Sequence, residues 1–160
     1  MRLTIAAVGR MKSGPDRDLA DRYLDRVAKA GRSLGFKSID ITEIGESRAS
    51  RAEERMAEEA SALTRTIEPG AVRIVLDSSG AALSSEDIAR QIGRWRDAGR
   101  PAACFIVGGA DGLAPTLKSD ADLTLSFGAA TWPHQLVRIM LLEQIYRAVT
   151  ILAGHPYHRA

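Results

Sequence analysis

Short apolar runs alternate with amphipathic stretches along this chain, and this alternation constrains the fold more than any other feature. Short apolar runs bounded by turn residues are typical of buried strands, whereas apolar positions repeating every three or four residues are typical of helices. Strands that alternate with helices favour a parallel sheet, because parallel pairing needs a crossover connection. The sequence therefore predicts an α/β fold with a mainly parallel sheet. The predicted strands are 3–8, 36–44, 72–76, 102–107 and 123–127, of which 36–44 alternates like an edge strand.

The same patterns predict about five helices within one continuous domain, 1–160. Ser84 and Asp87 resemble a capping pair at the start of one helix. The strongly charged stretch 50–67 is most simply a solvated helix. The last helix is apolar on two sides, which predicts that one side faces the sheet and the other a second copy of the chain, in a homodimer. The clearest helices begin after Pro15 and end at Gly31, or cover 50–67, 84–98 and 133–154.

Composition limits the class of protein. The chain has 160 residues, 45% of them hydrophobic and 26% charged, which is typical of a soluble globular domain. The single cysteine, Cys104, lies in an apolar run and is expected to be a buried thiol rather than a nucleophile. The apolar stretch at the N-terminus is too short for a signal peptide or a membrane span, so we expect a cytoplasmic protein without a membrane partner. A net charge of +2 does not by itself indicate a nucleic-acid partner.

Three segments rich in small residues, 76–80, 108–112 and 128–132, each follow a predicted strand. Ligands of open α/β sheets bind beyond the carboxyl ends of the strands, and small residues let a ligand approach the main chain. One such segment alone would more often be a tight turn, but three together favour a nucleoside ligand. The segment GGADGLAP lacks the spacing of a dinucleotide site and the lysine of a P-loop, and no histidine or cysteine pattern predicts a metal.

The C-terminal tail concentrates Tyr157, His158 and Arg159 directly after the last helix. An aromatic ring can stack on a base, an arginine can hold phosphate or a carbonyl oxygen, and a histidine can accept a proton near neutral pH. The alternative is that this tail simply packs on a neighbouring surface. Arg147 leaves two similar choices: a helical salt bridge with Glu143, four residues earlier, or a position in the ligand crevice.

Three segments carry a resemblance that covers nearly the whole chain. FIVGGADGLAP, LSFGAATWPHQLVRIMLLEQIYRA and HPYHR, together with the opening LTIAAVGRMK and the central IVLD, resemble the SPOUT-class methyltransferases that modify N3 of a pseudouridine in large-subunit ribosomal RNA. The resemblance implies a deep trefoil knot in approximately 70–160, a homodimer, and methyl transfer from S-adenosyl-L-methionine without a metal. It also implies the assembled ribosome and its 23S rRNA as partners.

The resemblance further implies which residues bind. The substrate side would be Arg147, Tyr157, His158 and Arg159, with His158 or water as the base and the tail of one protomer completing the site of the other. In this chain the positions before Thr131 are all small, which puts side-chain contacts from them in doubt. The implied donor contacts are Leu76, Gly108, Phe127, Gly128, Ala129, Ala130, Thr131 and Trp132.

Two other classes of function stay open from the residues alone. One is a ribosome-binding module whose pocket no longer supports catalysis, and the other is a small-molecule oxidoreductase with a Rossmann-like site. Binding of S-adenosyl-L-methionine but not of nicotinamide nucleotides separates the oxidoreductase from the methyltransferase, and methyl transfer separates the module from the enzyme.

Overall fold

The computed structural model describes residues 1–157. Within them the chain forms a five-stranded sheet of order β2-β1-β4-β3-β5, in which every pair of neighbours is parallel. The predicted parallel α/β architecture is therefore confirmed, as is the placement of β2 at an edge. All carboxyl ends of the strands meet at one edge of the sheet, which is where ligands of such folds bind. The strands are β1 (Arg2–Val8), β2 (Ser38–Ile44), β3 (Val72–Ala81), β4 (Ala102–Val107) and β5 (Leu123–Leu125).

Helices cover both faces of the sheet. One core cluster packs α1, α3 and α5 against alternate residues of β1, β3 and β4, and a second packs α2 and α4 against the opposite face. β4 lies in the middle and is buried along its whole length, which explains why its sequence is continuously apolar rather than alternating. The helices are α1 (Pro15–Gly31), α2 (Ala52–Thr64), α3 (Ser85–Asp97), α4 (Pro115–Ser119) and α5 (His134–Leu152), with a 3₁₀ turn at Arg32–Leu34.

Local details confirm several sequence predictions. Ser84 caps α3, because its hydroxyl accepts a hydrogen bond from the main-chain N–H of Asp87 at 3.1 Å. Cys104 is buried in β4, and burial raises the pKa of its thiol, so it is a structural residue. Pro133 is the N-cap of α5 rather than its first helical residue, one position from the predicted start.

The ends of two strands differ from the prediction. β3 continues to Ala81 through an irregularity in its pairing with β5, so that 76–80 is an extended, bulged segment rather than a loop. Gly80 is needed there because a Cβ atom would lie 2.7 Å from the main chain of Thr124. β5 in turn ends at Leu125, two residues early, and 126–133 leave the sheet to reach α5.

The charged helix α2 is not simply solvated, as the sequence had indicated. The carboxylate of Glu59 is buried and accepts a hydrogen bond from the N–H of Ser47 at 2.9 Å. Arg55 forms an ion pair with Asp111 at 2.7 Å, which joins α2 to the segment after β4. Alternating charges in sequence can thus conceal contacts between elements. Within residues 1–157, no helix has the length and apolar character needed to cross a bilayer.

Candidate functional site

A cleft opens at the carboxyl ends of β3 and β4, where the fold predicts a ligand. Every predicted donor residue except Ala129 lines it, so the three segments chosen from the sequence do meet at one place. Its other lining residues were not predicted individually, although several belong to the same segments. The lining residues are Leu76, Asp77, Ser78, Val107, Gly108, Gly109, Gly112, Leu113, Leu125, Phe127, Gly128, Ala130, Thr131, Trp132, His134 and Val137.

The donor loop, residues 126–133, forms one wall of this cleft. Ser126 is buried, and its hydroxyl accepts a hydrogen bond from the N–H of Gly128 at 3.1 Å. The same oxygen lies 3.3 Å from the carbonyl oxygen of Ser78 and 3.2 Å from that of Gly128. Gly128 has a φ of +100°, a conformation that residues with a Cβ rarely adopt. Ser126 therefore connects the donor loop to the bulged end of β3 and holds the wall in shape.

Asp77 places a negative charge in the cleft wall. Burial alone would raise the pKa of this carboxyl, but hydrogen bonds from Lys118 and from the hydroxyl and N–H of Ser79 outweigh it and lower the pKa below its ordinary value of 3.8. Ser79 donates at 2.5 Å from its hydroxyl and at 3.0 Å from its N–H. Asp77 is thus ionised at neutral pH and balanced by the Lys118 ammonium.

A groove adjoins the cleft along α5 and shares Phe127 and Gly128 with it. Glu143, at its far end, accepts a hydrogen bond from Nη2 of Arg147 at 2.5 Å and one from the hydroxyl of Tyr157 at 3.2 Å. The two residues therefore meet on one carboxylate, outside the donor cleft. The lining residues are Leu19, Tyr23, Ala82, Leu83, Ser84, Ser85, Ile88, Ser126, Phe127, Gly128, Ile139, Met140, Glu143 and Gln144.

Tyr157 is the last described residue and packs against its own chain. Its ring lies 4.7 Å from that of Tyr146, edge to face, and the guanidinium carbon of Arg147 is 5.0 Å from its centre. Burial, the Glu143 charge and a hydrogen bond with Tyr23 raise the pKa of Tyr157 to about 12, so its hydroxyl stays protonated near neutral pH.

The predicted substrate residues are thus only partly located. The salt bridge of Arg147 with Glu143 is confirmed, while the structure does not bring Arg147 into the donor cleft, which was the alternative. His158 and Arg159 lie outside the described residues. His134, which the sequence favoured as structural, lines the cleft through its place in the first turn of α5. In residues 1–157, no group of three or more His, Cys, Asp and Glu side chains is arranged to hold a metal ion.

The fold and the cleft define an α/β protein with a ligand site at the carboxyl edge of a parallel sheet, and comparison with known proteins identifies its family. The model of the family described as Predicted SPOUT methyltransferase matches residues 1–158. The chain belongs to this family of methyltransferases, and the resemblance read from its motifs is confirmed. Family membership also favours a methyltransferase over the oxidoreductase alternative.

Similar proteins span the chain from end to end. A protein of Rhodopseudomonas palustris named Ribosomal RNA large subunit methyltransferase H is 59% identical over 100% of both chains, and one of the same name from Bradyrhizobium diazoefficiens is 57% identical over 100% of both. Among solved structures, a putative methylase family protein from Neisseria gonorrhoeae matches with a TM-score of 0.50 and 12% identity, over 99% of this chain and 87% of that one. The structural likeness concerns the fold alone.

Proposed function

We propose that this enzyme transfers a methyl group from S-adenosyl-L-methionine to N3 of a pseudouridine in helix 69 of 23S rRNA. The observation that carries the proposal is the convergence of the predicted donor residues on one cleft in a chain whose full-length relatives are named as large-subunit rRNA methyltransferases. The vestigial-module alternative differs from it only in the absence of transfer.

The lining of the cleft suits the proposed donor. Leu76, Leu113 and Phe127 offer apolar surface for an adenine ring, and the glycine-rich segments expose main-chain polar groups to a ribose. When bound, the donor supplies an electrophilic methyl group. The chain has to fix its orientation and exclude competing positions, and the Ser126 hydrogen bonds give the donor loop the required rigidity.

The acceptor base would lie where the groove meets the cleft, at Phe127 and Gly128. Arg147 and Tyr157, at the far end of that groove, supply a fixed positive charge and a protonated hydroxyl. Methylation of N3 requires loss of the N3 proton, and negative charge then develops on the neighbouring carbonyl oxygens. We assign its stabilisation to Arg147 and Arg159, and acceptance of the proton to His158 or to water.

We also propose that the enzyme is a homodimer. Trp132 and Leu136 are the largely exposed large hydrophobic residues of the described chain, at 44% and 39%. With the half-buried Met140 they form a stripe of spacing four that begins at the donor loop and runs along α5. A second copy seated on this stripe would bring its own C-terminal tail towards the donor cleft and complete the site. The deep knot, placed at about 70–160, is part of the same proposal.

The assembled ribosome in the cytoplasm is the proposed substrate. The net charge of +2 suits an enzyme that recognises RNA within a larger particle better than one that binds free RNA by charge alone. A particle also offers shape, which a small enzyme can use for positioning.

Methyl transfer from labelled S-adenosyl-L-methionine to ribosomes lacking the modification tests the proposal. Digestion of the RNA and identification of the labelled nucleoside should give N3-methylpseudouridine. Donor binding without transfer would favour the non-catalytic module, and label on another nucleoside would overturn the assigned acceptor.

A further inference from the structure

The edge of the sheet that carries the donor cleft continues past it, to the ends of β1 and β2. Arg55 connects the two regions: it pairs with Asp111 beside the cleft and donates hydrogen bonds to the carbonyl oxygens of Ala49 and Ser50 at 3.1 and 3.0 Å. The loop after β2 is therefore fixed to the segment that lines the cleft.

The loop after β1 is fixed in the same way. A Cβ atom on Gly9 would lie 3.5 Å from the imidazole of His134, a cleft residue. The next hydrogen-bonded position, Met11, is buried, and its N–H donates to Glu43 at 2.9 Å. Arg10 and Lys12, on either side of Met11, are exposed. Both loops thus stand beside the donor cleft on a rigid base.

Three cations on these loops, Arg10, Lys12 and Arg48, form what we call the basic rim. All three are exposed, and among residues 1–157 none of them forms an ion pair with a carboxylate. Many other arginines and lysines of this part of the chain do, including Arg55 and Arg147. The rim therefore carries positive charge that the described chain does not neutralise.

Carboxylates near the rim are already engaged. Glu43 pairs with Arg138 and Arg17, and the charge of Glu46 acts on Arg138. Glu58 and Glu59 accept hydrogen bonds from Ser47. Asp16 and Asp18 lie in the first turn of α1, where they complement the partial positive charge of the helix N-terminus.

We infer that the basic rim binds backbone phosphates of the RNA strand that flanks the nucleotide held at the cleft. Arginine and lysine are the side chains that hold phosphate, and phosphate contacts position a nucleic acid without reading its sequence. A cleft for one nucleotide leaves the neighbouring phosphates outside it, and the rim offers positive charge there. The inference rests on the proposed function for its choice of RNA.

The test compares two triple variants of equal charge. The rim variant is Arg10→Ala with Lys12→Ala and Arg48→Ala. The control variant is Arg32→Ala with Lys37→Ala and Arg94→Ala, three exposed cations also without a carboxylate partner among residues 1–157 but near the amino ends of the strands. Dissociation constants for ribosomes lacking the modification are measured over a range of salt concentrations, with donor affinity and circular dichroism as checks of the folded state.

We expect the rim variant to bind ribosomes at least about tenfold more weakly and to lower the slope of log K against log salt by about two. The control variant should keep both values of the unmodified chain, and donor affinity should be the same in all three. An unchanged constant and slope in the rim variant, or an equal change in the control, would overturn the inference. Because binding is measured directly, an unmodified chain that binds ribosomes but transfers no methyl group contradicts the proposed function and not the rim.

Discussion

The guanidinium of Arg138, fully buried in α5, donates a 3.0 Å hydrogen bond from Nη1 to Oε1 of Glu43 at the end of β2. Its Nη2 donates to the carbonyl oxygen of Val8 at the end of β1, and its Nε has no partner among the described residues. One buried cation thus joins two strand ends to the helix that follows the donor loop. His134, one turn earlier on the same face, lines the cleft.

Replacing Arg138 should therefore affect both stability and donor binding. Arg138→Met leaves the Glu43 carboxylate and the Val8 carbonyl without this donor, and we expect a loss of about 3–5 kcal/mol in the free energy of unfolding. Chemical denaturation measures it. The double variant Arg138→Met with Glu43→Gln should lose less than the sum of the single changes, because the charge left unpaired is also removed. Additive losses would contradict a coupled pair.

The donor cleft can be tested with two adjacent alanines. Ala130 lines the cleft and Ala129 does not, although both are exposed in the donor loop. Ala130→Leu should raise the dissociation constant for S-adenosyl-L-methionine about tenfold, since added methylene groups occupy space that the donor needs. Isothermal titration calorimetry on Ala130→Leu and Ala129→Leu checks this. Equal affinities in the two variants would move the donor out of this cleft.

Arg147 should affect turnover and not donor binding. It lies outside the donor cleft, and its half-exposed pair with Glu143 is worth about 1 kcal/mol or less, so that Arg147→Ala remains folded. We expect its kcat to fall about 100-fold, through loss of a positive charge near the developing negative charge, with donor affinity kept. Single-turnover assays measure the effect. His158→Ala should behave similarly if histidine is the base, and full activity in that variant would leave the proton to water.

The carboxyl of Asp77 should titrate in acid below its ordinary value of 3.8. Because the pKa is lower in the folded state, the ionised group contributes stability that is present above pH 3.8 and lost as the pH falls through the folded-state pKa. Lys118→Met removes the ammonium partner, and should raise the pKa of Asp77. Carbon-13 NMR of the labelled carboxyl measures both values. Lys118→Arg is the matched control, and a pKa that is equal in all three proteins would exclude Lys118 as the cause.

The sequence by itself determined the order of strands and helices, the parallel sheet and the edge position of β2. These follow from local periodicity, because burial on one or two faces imposes a repeat that short segments must carry. It also determined the segments that form the donor cleft, since small residues after strands are detectable one segment at a time. The capping of α3 by Ser84 and the burial of Cys104 are equally local.

Only the tertiary structure decided how distant residues pair. The ion pair of Arg138 with Glu43 and that of Arg55 with Asp111 join residues far apart in sequence, and no periodicity indicates such partners. The bulge that carries β3 to Ala81 depends on the close passage of β5 beside Gly80, which is a contact between strands and not a property of either. For the same reason the sequence could name Arg147 and Tyr157 but could not place them on one carboxylate, because Glu143 becomes their common partner only when the tail folds back on α5.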